Sequence, residues 1–196
     1  MIIQIIFLLI TYLISSVAFG LFLGKIFAKI DIREHGSKNI GATNVARVIN
    51  KKLGLATLLL DGLKGGAMVI IARLIFYNSD NLEIFLIIVA AIAVIGHIFP
   101  IYLKFKGGKG VATSIATIIA LDPYIGVAIS LIWIVAFILF RISAISSLMA
   151  IFSAIIISIF YNSMAYNIFY FLLFLLILYR HKENITRLIK GSENKL

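Results

Sequence analysis

The chain has 196 residues, a length that one domain accommodates, and 62% of them are hydrophobic against 13% charged. Soluble domains carry roughly 25% charged residues, so this composition excludes a soluble protein and reads as an integral membrane one. The absence of cysteine excludes disulfides, thiolate metal ligands and a cysteine nucleophile. The net charge of +10 suggests a nucleic-acid partner only until its distribution is considered.

Residues 2–23 form an apolar run of about the 20 residues that a transmembrane helix needs. No basic segment precedes it, so it is predicted as a retained first helix rather than a signal peptide. Residues 25–52 make a polar loop with seven basic side chains. Residues 53–77 form a second helix, with Asp61 and Lys64 three apart on one face. After a short connection, residues 82–103 form the third, with Pro100 near its end. A lysine- and glycine-rich loop follows at 104–110. Residues 111–121 are apolar but only 11 in number, enough for about 16 Å of helix. That is half the hydrocarbon thickness of a bilayer, so the loop before them is predicted to be recessed. Asp122-Pro123 turns the chain into a fifth helix at 124–140. A sixth occupies 142–161, a seventh 164–179, and residues 180–196 are a polar tail.

This reading gives one all-α, polytopic membrane domain over residues 1–196, with seven transmembrane helices, some of them short. The segments 25–52, 104–110, Arg141 and 180–196 lie on one side and hold 16 of the 18 Lys and Arg residues. The opposite connections hold Asp80, Glu83 and Asp122 and no base. Positive charge collects on the cytoplasmic side, so the N-terminus is placed outside and the C-terminus in the cytoplasm. The charge therefore follows topology and calls for no nucleic-acid partner. Of the two remaining bases, Arg73 can snorkel and Lys64 is deep enough to need Asp61 as a partner.

Three unusual clusters fall on the cytoplasmic side. The first runs from His35 through Gly36, Ser37, Lys38, Asn39, Gly41, Thr43 and Asn44 to Arg47. Two glycines, two asparagines, a serine and a threonine within nine residues exceed what a topogenic loop requires. No base adjoins Ser37 and the nucleophile elbow is absent, so Ser37 is read as a hydrogen-bond donor. The second runs from Gly96-His97 through Lys104, Lys106, Gly107, Gly108, Lys109 and Gly110 to Thr113. Its glycines let N–H groups converge and its ammonium groups supply charge, which suits phosphate. A Walker loop is excluded, because Leu103 stands where its first glycine belongs and Gly110 where Ser or Thr belongs. The third spans 179–188, where His181, Asn184 and Arg187 recur every three residues along one helical face.

At these residues the chain resembles the PlsY family of membrane glycerol-3-phosphate acyltransferases. The three motifs occur in order: Gly36-Ser37-Lys38-Asn39-Ile40-Gly41-Ala42-Thr43-Asn44-Val45 with Arg47, then Gly96-His97 through Thr113, then His181 through Arg187. One departure is visible, Lys38 where the family commonly has a second glycine. The resemblance implies transfer of a fatty acyl group from acyl phosphate to the 1-hydroxyl of glycerol 3-phosphate, giving lysophosphatidic acid and phosphate. It implies neither CoA nor acyl carrier protein as donor, and a bacterial plasma (inner) membrane; the topology turns the site to the cytoplasm, and no metal, no cofactor and a monomer are expected. By motif position Ser37, Lys109 and His181 are the expected catalytic residues. Arg47 and Asn184 are expected to bind the phosphorylated substrates with them. Asn39, Thr43, Asn44 and His97 complete the expected contacts, together with Lys106, Gly107, Gly108 and Gly110 of the loop. A transporter would instead carry polar residues through to the far side, and the fifth to seventh helices lack them until Tyr179. A non-catalytic lipid-binding factor would not need three such motifs.

Overall fold

The computed structural model describes residues 1–160 and 163–195. The expected end of the sixth helix at 161 and part of the 162–163 connection lie outside the described residues. The described residues are mainly helical, with no strand among them. The α-helices are α1 (Ile2–Ser15), α2 (Phe19–Leu23), α3 (Ala42–Val48), α4 (Lys51–Ile75) and α5 (Leu82–Ile98), then α6 (Val111–Leu121), α7 (Pro123–Phe140), α8 (Ser143–Ser158), α9 (Met164–Arg180) and α10 (Lys182–Ile189).

Each apolar run became helix, and the boundaries have local causes. The Asn50 side chain caps α4 by accepting from Leu53 N at 2.8 Å. The Asp122 carboxylate accepts from Tyr124 N and Ile125 N, both at 3.1 Å, and Pro123 fits the first turn of α7, where its missing N–H costs nothing. Arg73 is exposed, as a snorkelling side chain should be, and donates to the Ala120 and Leu121 carbonyls at the end of α6. A cation there satisfies orphan carbonyls and complements the helix dipole.

Two expectations are refined. The first apolar run is not one helix: α1 stops at Ser15 and the chain restarts at Phe19. The loop that follows presses on this break, since a Cβ on Gly20 would lie 1.9 Å from Ile40 O. The polar tail is refined too: it begins with α10, the helix on which Asn184 and Arg187 lie, and this helix turns off α9 by 61°. Four helical segments are long and apolar enough to cross a bilayer, or five if the bent α9–α10 pair counts as one. Helices α6 and α8 are apolar but shorter.

The core places α4 at the centre. Val69 and Ala72 of α4 pack with Val89 and Ala90 of α5, Ile118 of α6 and Ile129 of α7. Small residues let α4 approach its neighbours closely: a Cβ on Gly66 would lie 3.1 Å from Ala116 O, and one on Gly54 would lie 2.4 Å from Ala46 Cβ. Such contacts are how helices associate where lipid removes the hydrophobic drive. The α4–α6 contact holds the start of α6, and so the glycine loop, against α4.

Candidate active site

The first cluster folds around Asn44, which is 1% exposed. Its Oδ1 accepts from Ser37 N at 2.8 Å, while its Nδ2 donates to the carbonyls of Ile32, His35 and Asn39 at 3.2, 3.0 and 2.8 Å. Asn44 thus spends its side chain holding the loop. Asn39 Oδ1 accepts from Gly41 N at 2.9 Å, leading the chain into α3. Thr43 shares a 3.1 Å hydrogen bond with Ser143. Lys38 has φ +57, a left-handed conformation that favours glycine. A lysine thus occupies a conformation that suits glycine better. Arg47 projects from α3 into a cavity, and no protein acceptor for its guanidinium occurs among the described residues.

The second cluster supplies a row of unpaired backbone donors. After Pro100, Lys104 and Phe105 take φ of +51 and +62 and reverse the chain. Gly107 N then donates to Ile98 O at 3.1 Å and Gly108 N to His97 O at 3.2 Å. A Cβ on Gly108 would lie 2.2 Å from His97 Nε2, so the loop packs flat on the histidine ring. Gly110, at φ +85, is the N-cap of α6, and the next backbone donor bonded within the protein is Ser114 N, to Gly110 O at 2.8 Å. The five amides of Lys109 to Thr113 therefore lack a protein acceptor among the described residues. Successive free N–H groups at a helix N-terminus bind anions by hydrogen bonding and by the helix dipole.

The third cluster closes the site. Lys109 Nζ donates to Asn184 Oδ1, and Asn184 Nδ2 donates to Glu193 Oε1 at 2.7 Å. Arg187 Nε donates to Glu193 Oε2 at 2.7 Å, and Arg180 donates to Gly107 O at 3.0 Å. His181 follows the last residue of α9 and is 2% exposed. Its Nδ1 lies 2.8 Å from Ile177 O; a carbonyl only accepts, so Nδ1 carries the proton and Nε2 keeps its lone pair. Burial, then the Lys109 charge, holds the His181 pKa down to about 4. Burial likewise lowers the Lys109 pKa to about 8, with the Glu193 carboxylate opposing it. At neutral pH the pair is a neutral imidazole beside an ammonium.

The clusters converge on two adjoining cavities of about 510 and 470 Å³. The first takes Thr43, Arg47, His97, Gly110 and His181 on its polar side, then continues as an apolar groove between Leu58, Leu59 and Leu63 of α4, Ile115 and Ile119 of α6, and Ile134 of α7. Leu59 and Leu63 are 55% and 61% exposed, so the groove opens sideways. The second is strongly basic, with Lys38, Lys106, Lys182 and Arg187 around Gly107. Ser37, Asn39, Lys109 and Asn184 line both. Gly108 lines neither, being packed on His97. Sequence reading did not single out Glu193, Arg180 or Ser143. Glu193 is the acid that Arg187 and Asn184 require, and the basic composition of the tail was the signal available.

Fold and site together define a helical membrane protein in which a basic, amide-lined pocket adjoins an apolar groove. The sequence matches the profile described as Glycerol-3-phosphate acyltransferase over residues 5–191, and the chain belongs to that family, the PlsY family. It is 46% identical to a glycerol-3-phosphate acyltransferase of Aliarcobacter butzleri, covering 98% of this chain and 96% of that protein. It is 41% identical to one of Ehrlichia canis, covering 96% of each. The fold matches crystal structures of PlsY (YgiH), an integral membrane glycerol 3-phosphate acyltransferase. Its glycerol 3-phosphate form superposes with a TM-score of 0.91 at 33% identity, covering 98% of this chain and 95% of that one. Its lysophosphatidic acid form gives 0.88 at 32%, with the same coverage.

Proposed function

We propose that the protein transfers a fatty acyl group from acyl phosphate to the sn-1 hydroxyl of glycerol 3-phosphate, producing lysophosphatidic acid and inorganic phosphate without CoA or acyl carrier protein. The observation that carries this reading is the run of five free amides beside Lys109, at the mouth of an apolar groove. The acyl chain lies in the groove between α4, α6 and α7. The two head groups meet where the cavities share Ser37, Asn39, Lys109 and Asn184. Two phosphates brought together repel, and the Lys109 and Arg47 charges offset that repulsion.

In the reaction the acceptor hydroxyl oxygen attacks the acyl carbonyl carbon, forming the ester C–O bond. The bond from that carbon to the phosphate oxygen breaks, and phosphate leaves with its electron pair. His181 Nε2 takes the hydroxyl proton; a neutral imidazole with Nδ1–H fixed on Ile177 O supports that role. The donor's own phosphate, joined to the carbonyl under attack, is the alternative base. Free amides of the 109–113 run stabilise the developing oxyanion. Acyl phosphate is already an activated anhydride, so attack is direct and Ser37 serves as a hydrogen-bond donor. Asn44 acts by fixing Ser37.

The topology proposed with this function is seven membrane segments, α6 and α8 being the short ones, with the N-terminus outside. The site then faces the cytoplasm of a bacterial plasma membrane, and the functional unit is a monomer. The test is to incubate purified protein with glycerol 3-phosphate and, separately, acyl phosphate, acyl-CoA or acylated carrier protein. Lysophosphatidate should form only from acyl phosphate. No product from acyl phosphate would overturn the assignment, product from acyl-CoA would revise the donor, and acyl-enzyme trapped in a single turnover would overturn direct attack.

A further inference from the structure

We propose that Asp61, held by Lys64, and His97 form a buried strut that positions the glycine loop and its row of free amides. These groups act through the loop, as positioning residues. The proposal rests on the reading of the loop and the start of α6 as the substrate-phosphate site.

The strut begins in the interior of α4. The Asp61 and Lys64 side chains are each 3% exposed and 2.8 Å apart. Burying two charges is costly even when they pair, and apolar residues of similar volume are often equally stable there. Stability alone therefore does not account for the pair. Lys64 Nζ also donates to Val17 O at 2.6 Å, satisfying a carbonyl that the break between α1 and α2 leaves without a helical partner. Its ammonium lies 5.8 Å from the Phe19 ring centroid. Lys64 thus anchors the Asp61 carboxylate to the break.

From Asp61 two connections reach the loop. Its Oδ1 lies 3.7 Å from His97 Nδ1, a buried atom with no hydrogen-bond partner. At that distance the carboxylate orients the ring electrostatically and makes no hydrogen bond. The opposite edge of the ring, Nε2, is the surface on which Gly108 rests, and the His97 carbonyl accepts from Gly108 N. The second connection is Thr113 Oγ1, which donates to Asp61 O at 2.8 Å. Gly108 and Thr113 bracket the five free amides, one just before the run and the other at its end. Both are referenced to Asp61, so the strut fixes the height and pitch of the run as a unit. His97 also lines the first cavity, so its ring can serve as the floor of the loop and still face the substrate site.

The test compares His97→Ala, Thr113→Val, Gly108→Ala and the double variant H97A/G108A in purified protein, with KM for glycerol 3-phosphate and for acyl phosphate, kcat and melting temperature. A tilted amide run weakens phosphate binding, so H97A and T113V should raise at least one KM about tenfold, the cost of spoiling a charge-assisted hydrogen bond. Their kcat should change much less. G108A drives a methyl into the ring and should be worse than either, and removing the ring in H97A/G108A should recover about tenfold of that loss. D61L/K64M, which keeps the volume but loses the carboxylate, should shift KM as H97A does. Wild-type KM values in H97A and T113V, or in D61L/K64M, would overturn the proposal, as would no recovery in the double variant. Should H97A not fold, T113V and D61L/K64M decide. Lys109→Ala separates the two readings: if it abolishes activity while the strut variants are silent, only the strut falls. If Lys109→Ala itself is silent, the phosphate-site reading falls.

Discussion

Lys109→Ala removes the one ammonium among the described residues that lines both cavities. In the free protein its side chain donates to Asn184, which keeps its bond to Glu193 after the change. The fold should therefore survive. Each charge-assisted hydrogen bond to a phosphate is worth about 1.5–3 kcal/mol. If Lys109 bridges two phosphates, the loss is roughly 3–6 kcal/mol, or about 10²- to 10⁴-fold in kcat/KM. The assay is lysophosphatidate formation from acyl phosphate and glycerol 3-phosphate, with thermal melting as the control for folding. A variant that melts as wild type and keeps kcat/KM within about threefold of it, an effect under 1 kcal/mol, would refute the reasoning. The pH profile gives a second handle. The lysine pKa is lowered to about 8 by burial, so the cation is present below that pH and is lost as pH rises through it. Since kcat/KM reports the free enzyme, it should fall above about pH 8. Lys109→Arg keeps its charge past pH 10, so whatever activity it retains should not decline there.

Three other variants probe the scaffold. Lys38→Gly relieves a left-handed lysine at φ +57 and should stabilise by about 1 kcal/mol, read as a melting temperature a few degrees higher. Asn44→Ala deletes four hydrogen bonds and should cost about 2–4 kcal/mol, seen as a lower melting temperature together with lost activity. Ile119→Trp narrows the apolar groove, and should reduce kcat/KM for long-chain relative to short-chain acyl phosphates about tenfold; an unchanged ratio would place the acyl chain elsewhere.

Much of the fold was legible because lipid imposes long apolar runs. The bounds of α6 emerged as read, residues 111 and 121 being set by Gly110 and Asp122. The Asp61–Lys64 pair was likewise legible, since a lysine that deep has few partners within reach. The break after Ser15 was not, because the groups that meet it come from distant parts of the chain: Ile40 O approaches Gly20 and Lys64 takes the Val17 carbonyl. The serines and glycine there look like ordinary interruptions of a span. Within the site, the glycines and lysines announced an anion, whereas the work of Asn44 was hidden: its four partners are backbone groups. Glu193 escaped for a similar reason, as its partners Asn184 and Arg187 lie across a turn that sequence does not draw. Lys38 was marked by sequence as a departure, and its positive φ shows what that departure entails.

The central claim is that this site couples acyl phosphate to glycerol 3-phosphate. Its most direct measurement follows both products in one reaction, with purified protein in bilayer discs, acyl phosphate as sole donor and glycerol 3-phosphate as acceptor. Lysophosphatidate and inorganic phosphate should appear in equal amounts, and both should vanish with Lys109→Ala. Phosphate released without lysophosphatidate, or lysophosphatidate formed at the wild-type rate by Lys109→Ala, would contradict the account.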